Sequence, residues 1–595
     1  MTGPREEYCR RVARWKTVAG RGERQHQRIS NVRLLVFGVA AVLAWLSFSL
    51  ALLSPAWLLL CLLGFVVLVA SHARVLNAVE RAQRARRLYE RGLDRLDGRW
   101  MGQGPEGTPF LQGHDYGLDL DLFGPASLFQ LLDTARTESG QEVLAQWLRE
   151  PAGIREIKAR QEAVHELRNH LDFREDLAVL AAEARVGRTT ALSAWCVAAP
   201  AGLSAGVGFK LGILASGSGA LLALGLTGLV GIQWVVVWLA VQAAVALRWR
   251  PRVLEVTSRI ETPAHDLMLL QELLKRLERE RFDSPRLAAL HRLLVSTGAL
   301  PSKRIARLRT FISILDSAHN PYFQMTGLAY VLLIRSQSAV AIDRWHAAHG
   351  QALGGWLQAV GELEALSALA THAFEHPADP FPSLSEEGPV LDAVALSHPL
   401  IAEANAVRND VRLGGDGPSV LVVSGSNMSG KSTLLRAVGV NVVLAQAGAP
   451  VRAARMTLSP LALGATLRVE DSLVEKRSRF YAEILRIRTI VDVARGPIPL
   501  LFLLDEILHG TNSYDRRIGA EAIVRTLVNA GAVGLVTTHD LALTELVRSL
   551  DPRVENVHFE DRLEDGQMVF DYRLRPGVVD HSNALALMRA VGLDV

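Results

Sequence analysis

"PSVLVVSGSNMSGKSTLLRAVGVNVVLAQAG", residues 418–448, decides how the rest of the chain is read. Its opening is an apolar, β-branched run suited to a strand covered on both faces. Its close has the pattern of a helix. Between them Gly425, Gly430, Lys431 and Ser432 fit the spacing G-x-x-x-x-G-K-[ST]. Strand, glycine loop, helix is the context in which backbone N–H groups and a helix N-terminus cradle phosphates. On this reading Gly425, Ser426, Asn427, Met428, Ser429, Gly430, Lys431, Ser432 and Thr433 form a nucleotide-binding loop. Lys431 reaches the β- and γ-phosphates, and the Ser432 hydroxyl ligates Mg2+.

Two further apolar runs end in chemistry of the matching kind. "IPLLFLLDEILHGTNSYDR" (498–516) is a strand closing on Asp505 and Glu506. An acidic pair at that end of a parallel strand lies beside the phosphates, so Asp505 is expected to hold Mg2+ through water. Glu506 is expected to polarise the attacking water. "AVGLVTTHD" (532–540) is a third strand, ending in His539, which is placed to sense the γ-phosphate. These elements predict an α/β P-loop ATPase domain with a mostly parallel sheet, using ATP and Mg2+, with Glu506, His539 and Lys431 as its catalytic groups.

The ordered motifs resemble those of the MutS family of DNA mismatch-repair ATPases. "SGSNMSGKSTLLRAVG" resembles the family's Walker A segment, Asn427 and Met428 included, and "LLDEILHGTNSYD" its Walker B and following turn. "TTHD" resembles its switch histidine. "EDSLVEKRSRFYAEI" (470–484) is similar to its Ser-Thr-Phe-Met-x-Glu segment, with Ser478, Phe480 and Glu483 matching and Arg479 in place of the threonine. "SHPL" (397–400) and "NDVRL" (409–413) stand where the family's ATPase domain begins, and "DHSNALALMRAVGL" (580–593) is similar to its closing helix. More weakly, residues 127–151, 160–167 and 356–374 resemble parts of its all-α core domain. The resemblance implies ATP as the nucleotide, a homodimer through the ATPase domains, and Ser478 acting in trans on the partner's nucleotide. Residues 1–110 hold no likeness to the family's mismatch-reading domain. On this reading no room follows Val595 for a further dimerisation element. A Phe-x-Glu triplet at Phe173–Glu175 sits in a helical pattern that makes Phe173 a core residue.

The remaining apolar residues are concentrated. Leu34–Ser71 has no charged residue, and Thr189–Leu247 has one, Lys210. Each run is long enough for two membrane spans of about 20 residues. The first is expected to fold back at Ser54-Pro55, the second around "KLGILASGSG" (210–219). Nine Lys or Arg lie in residues 1–33, and basic stretches follow the first run and flank the second. By the positive-inside rule all four flanks are cytoplasmic. No cleaved signal peptide is expected. Three dispersed cysteines support neither a disulfide framework nor a zinc site.

The expected organisation is a basic tail (1–33), a transmembrane hairpin (34–71) and a basic helix and linker (72–110). A helical core follows (111–188), interrupted by a second hairpin (189–247) and resumed (248–385), then the P-loop ATPase domain (386–595). The expected location is the inner (cell) membrane, multi-pass, with ATPase and core in the cytoplasm. Two function classes stay open. One is a membrane-tethered ATPase that binds mismatched or branched DNA. The other is a membrane mechanochemical or regulatory ATPase acting on lipid or a protein partner. Basic helices such as residues 74–96 suit DNA and anionic lipid alike.

Overall fold

Between Pro4 and Leu96 the chain has one further proline, Pro55, and it forms two long helices that end on either side of it, Pro4–Phe48 and Trp57–Leu96. The computed structural model describes residues 3–50, 52–114, 116–183, 190–261, 263–295, 298–319, 327–468, 479–508, 511–539, 544, 552–564 and 567–579. It divides into two units. One comprises residues 1–99, 171–279 and 297–356; the other comprises residues 100–170, 280–296 and 357–595.

In the first unit every described regular element is helical. The two long helices zip antiparallel: Tyr8 meets Tyr89, His26 meets His72, and Arg33 lies over the Phe65 ring. Gly92 allows the Tyr8 contact, since a Cβ there would stand 2.5 Å from the ring. A buried polar knot ties the basic end to helix Leu171–Glu183: Arg11 donates to Glu7, the Tyr89 hydroxyl and Glu175, and Tyr89 donates to Glu175 at 2.6 Å. Beyond the basic end the surfaces are apolar and bare, with Leu34, Leu35, Leu60 and Leu63 all exposed. Phe173 is buried beneath the Arg276 guanidinium, as its helical pattern implies.

The second apolar run departs from expectation. Residues 210–219 are not a connection; they lie inside helix Ala205–Leu226, and the turn to helix Ile232–Glu261 comes at residues 227–231, where Gly228 takes φ 76°. The glycines and serines that suggested a loop serve close packing instead: a Cβ on Gly217 would stand 2.4 Å from the Trp238 ring. Residues 190–204 form a separate helix, Thr190–Val197, and a following strap. The buried Asp343 accepts from Ala201 and Leu203 N–H at 2.7 Å each, and His346 Nε2 lies 2.7 Å from the Trp195 carbonyl. Four helices, Pro4–Phe48, Trp57–Leu96, Ala205–Leu226 and Ile232–Glu261, are long and apolar enough to cross a membrane.

The second unit carries the sheets. Strands β1 (Ser383–Leu384), β2 (Val390–Leu396), β3 (Asn409–Gly414), β4 (Val420–Ser424), β5 (Arg455–Leu458), β6 (Ala462–Thr466), β7 (Leu500–Leu504), β8 (Val533–Thr538), β9 (Val554–Glu564) and β10 (Gln567–Pro576) form two sheets. The smaller is ordered β1-β5-β2-β3, the larger β10-β9-β4-β8-β7-β6. In the larger sheet all neighbours run parallel except β10 on β9. Strands β4, β7 and β8 are buried at every position, which is why they read as unbroken apolar runs. In register Ser424 stands beside Thr538, and Leu504 beside Val536, so the carboxyl ends of β4, β7 and β8 share one edge.

Helical elements of the same unit join stretches far apart in sequence. Glu364, fully desolvated on helix Ile334–Glu375, accepts from the Arg136 and Thr137 N–H groups and from the Thr137 hydroxyl. Thr137 caps helix Glu138–Arg149. Asp119 has no exposed surface; it accepts from the Leu467 and Arg468 N–H groups and pairs with Arg486 at 2.7 Å. Its own carbonyl accepts from Arg436 on helix Lys431–Ala447.

Candidate functional site

The site is built from the edge where β4, β7 and β8 end. After Ser424 the chain turns through Gly425 at φ 149°, and a Cβ there would stand 2.8 Å from Ser429 Oγ and 3.1 Å from the Phe559 carbonyl. Gly430 takes φ 104° and starts helix Lys431–Ala447, which ends at Gly448 (φ 89°) in the left-handed conformation typical of a helix stop. Loop and helix start thus border one space. Lys431 is buried, and its Nζ donates to the Gly425 and Ser426 carbonyls at 2.9 and 2.8 Å. Burial pulls its pKa below the ordinary lysine value, while Glu506 and Asp505 oppose that shift.

The strand-end carboxylates are held from behind. The Thr537 hydroxyl donates to Asp505 Oδ1 and accepts from the Glu506 N–H at 3.0 Å. Glu506 takes φ 48°, a left-handed conformation that a glutamate holds only when its surroundings fix it. Its Oε1 lies 3.5 Å from His539 Nδ1 and 3.9 Å from Lys431 Nζ. Glu483 accepts from the Leu508 N–H at 2.5 Å, and Arg516 donates to the Leu508 and Thr511 carbonyls. Asn512 then caps helix Ser513–Asn529.

A cavity of about 570 Å³ opens beside the loop. It is lined by Asn427, Met428, Gly430, Lys431, Ser432, Thr433 and Glu506, and from other segments by His398, Ile401, Asn409, Phe559 and Tyr572, the last two standing against the loop glycines. Asn409 bridges to β10, donating to the Tyr572 carbonyl and accepting from Leu574 N–H. The structure therefore gathers Gly425–Thr433, Asp505, Glu506 and His539. Ser478 lies outside the described residues, as do Asp540 and the expected closing helix at 580–593. The residues that sequence reasoning did not assign to the site are Thr537 and the cavity lining outside the loop and Glu506. Thr537 sits two residues before His539 in a quoted motif, and His398 within "SHPL".

A polyphosphate and its cation fit these residues. The Ser426 and Ser429 hydroxyl oxygens are buried with no hydrogen-bond partner, the backbone at Gly425 and Gly430 is packed too closely for a Cβ, and the Lys431 ammonium is held against the loop. Each feature is costly in an empty apolar setting and is satisfied by an anion.

His398 supplies a pH signature. Burial, and secondarily the Arg436 charge, push its pKa down to about 4, and its Nδ1 accepts from the Leu400 N–H at 3.2 Å. The unfolded chain takes up this proton near pH 6.5 and the folded chain only near pH 4. Stability from this group is therefore complete above pH 6.5 and is lost as pH falls toward 4, by up to about 3 kcal/mol. Thermal unfolding of His398→Asn, which keeps an acceptor for Leu400, is expected to depend less on pH across that window than the parent protein.

Residues 421–594 match MutS domain V. The DNA mismatch repair protein MutS of Shouchella clausii is 36% identical over 197 residues, covering 33% of this chain and 22% of the relative. That of Roseiflexus sp. (strain RS-1) is 32% identical over 204 residues, 33% of this chain and 18% of the relative. That of Methanosarcina acetivorans is 30% identical over 278 residues, 44% and 30%. The chain thus spans less than a third of the length of these relatives.

Proposed function

Because this chain belongs to the MutS family through the domain V of its C-terminal third, we propose that it is a membrane-anchored ATPase that couples ATP binding and hydrolysis to conformational change on DNA. The observation that carries the reading is the convergence of Lys431, Glu506 and His539 beside two unpartnered serine hydroxyls in a glycine-hinged loop. Bound Mg-ATP would supply the electrophilic γ-phosphoryl group, with Mg2+ shielding its charge. Gly425–Thr433 hold the phosphates through backbone N–H groups and the Ser426 and Ser429 hydroxyls. Lys431 neutralises phosphate charge, and Ser432 and Asp505 hold the cation. Glu506 orients water and accepts its proton, with His539 beside it to steady the carboxylate. His398, Ile401 and Tyr572 form the wall for the nucleoside. Ser478 reaches the partner's site in a homodimer closed by nucleotide.

Helices Pro4–Phe48 and Trp57–Leu96, and helices Ala205–Leu226 and Ile232–Glu261, make two transmembrane hairpins with cytoplasmic flanks, consistent with their bare apolar faces and basic ends. The flanking cytoplasmic segments are the basic tail (1–33), the basic helix and linker (72–110), the two parts of the helical core (111–188 and 248–385) and the ATPase domain (386–595). DNA is the proposed cargo because the relatives are DNA mismatch repair proteins. A second reading, action on lipid or a protein partner without DNA recognition, is favoured by the burial of Phe173, which leaves the Phe-x-Glu triplet no exposed ring. The two are separated by DNA binding of the full-length detergent-solubilised protein across a salt series. A tethered DNA sensor gives a log-log slope of about −0.9 per phosphate contact. Absence of binding to homoduplex, mismatched and branched DNA at 50 mM salt selects the second reading.

A further inference from the structure

The two apolar helices Ala205–Leu226 and Ile232–Glu261 do not meet bare lipid on every side. Gln242 lies deep in the second of them, six residues before Arg248, which is about 9 Å along a helix axis. Arg248 and Arg252 both lie over the Trp249 ring, giving the arginine-and-tryptophan belt expected where a span leaves the hydrocarbon. Gln242 is nonetheless buried. Its Oε1 accepts from Ser218 on the facing helix, and its Nε2 donates to the Tyr330 and Val331 carbonyls at 3.1 and 2.9 Å.

Those carbonyls belong to residues 327–333, "GLAYVLL", which join the preceding chain to helix Ile334–Glu375. The segment has one short turn of helix, Leu328–Val331, opened by Gly327 at φ 69° and followed by Leu333 at φ 49°. Its carbonyls are accounted for almost completely. Leu328 accepts from Leu332 N–H, Tyr330 from Leu333 N–H as well as Gln242, Leu332 from Gln337 Nε2, and Leu333 from Gln337 N–H. Meanwhile Leu328, Tyr330 and Leu332 expose large apolar surfaces. Arg335 then donates to Thr257, beyond the Arg248–Arg252 belt. Irregular backbone whose polar groups are satisfied by protein, whose side chains are apolar and outward, and which sits below an interfacial belt has the properties of a re-entrant membrane segment.

We propose that residues 327–333 enter the cytoplasmic leaflet beside the second hairpin as a re-entrant element, held there by the Gln242 amide. The proposal rests on the reading that this hairpin spans a membrane. It places the start of helix Ile334–Glu375 at the lipid interface, so that the long helix is anchored at its N-terminal end.

The test uses the full-length protein in phospholipid vesicles, with Cys9, Cys61 and Cys196 replaced by alanine. Single cysteines at Tyr330, Leu332, Val237 and Glu255 carry an environment-sensitive fluorophore, and lipids brominated at shallow or deep acyl positions serve as quenchers. Tyr330 and Leu332 are expected to be quenched to the extent of Val237, more strongly by the shallow label, while Glu255 is not quenched. Quenching at Val237 with none at Tyr330 or Leu332 overturns the proposal and leaves the span intact. No quenching at Val237 removes the membrane reading and the proposal with it. In the Gln242→Leu background, the Tyr330 probe is expected to lose its quenching while Val237 retains it. Unchanged quenching at Tyr330 there would remove the amide from its assigned role.

Discussion

Glu506→Gln is expected to lower steady-state ATP turnover by about 10²–10⁴-fold while leaving nucleotide affinity near its parent value, since loss of a positioned general base costs about that much. The reason for the split lies in how Glu506 is held. Its backbone is fixed by the Thr537 hydroxyl and its φ of 48°, neither of which depends on the side-chain charge. Its carboxylate faces His539 and Lys431 and contacts no loop N–H that would bind phosphate. Glutamine keeps the shape and removes the carboxylate that the proposed mechanism uses as its base. Turnover and the affinity of a fluorescent ATP analogue, measured on the same preparation, check this. A parallel loss of both would assign Glu506 to binding.

Asp119→Ala is expected to cost about 3–5 kcal/mol of stability, the range for removing one partner of a buried ion pair. The substitution strands Arg486 and leaves the Leu467 and Arg468 N–H groups without their acceptor. It also weakens the seat of Arg436, which donates to the Asp119 carbonyl from the nucleotide-loop helix. Asp119→Asn keeps an acceptor for the two N–H groups but gives up the charge pair, so its loss should fall between alanine and the parent. Equilibrium unfolding of the three proteins, followed by the fluorescence of bound nucleotide, measures the order.

What the sequence made legible follows from what buries residues locally. Strands β4, β7 and β8 were readable because burial on both faces leaves no polar alternation, and the turn chemistry after each is written in adjacent residues. Asp505, Glu506 and His539 were readable for the same reason, being the first polar residues past a buried strand. The rest of the cavity lining was not, because His398, Asn409 and Tyr572 come from separate segments and meet only when β10 pairs beyond β9. Nor was Asp119, whose partners lie over 300 residues away. The second apolar run misled in a physical way. Glycine and serine at 216–219 signal a loop in water but close helix packing against Trp238, and the apolar stretch 190–204 is tied to Asp343 and His346 instead of forming a span.

ATP turnover by the purified full-length protein, with and without homoduplex, mismatched and branched DNA, tests the central claim most directly when set against Lys431→Ala. Magnesium-dependent turnover that Lys431→Ala abolishes, and that one DNA form stimulates in low salt, is the expected result. Turnover that survives Lys431→Ala unchanged would contradict the account, since the buried ammonium at the loop is the group every other assignment is arranged around.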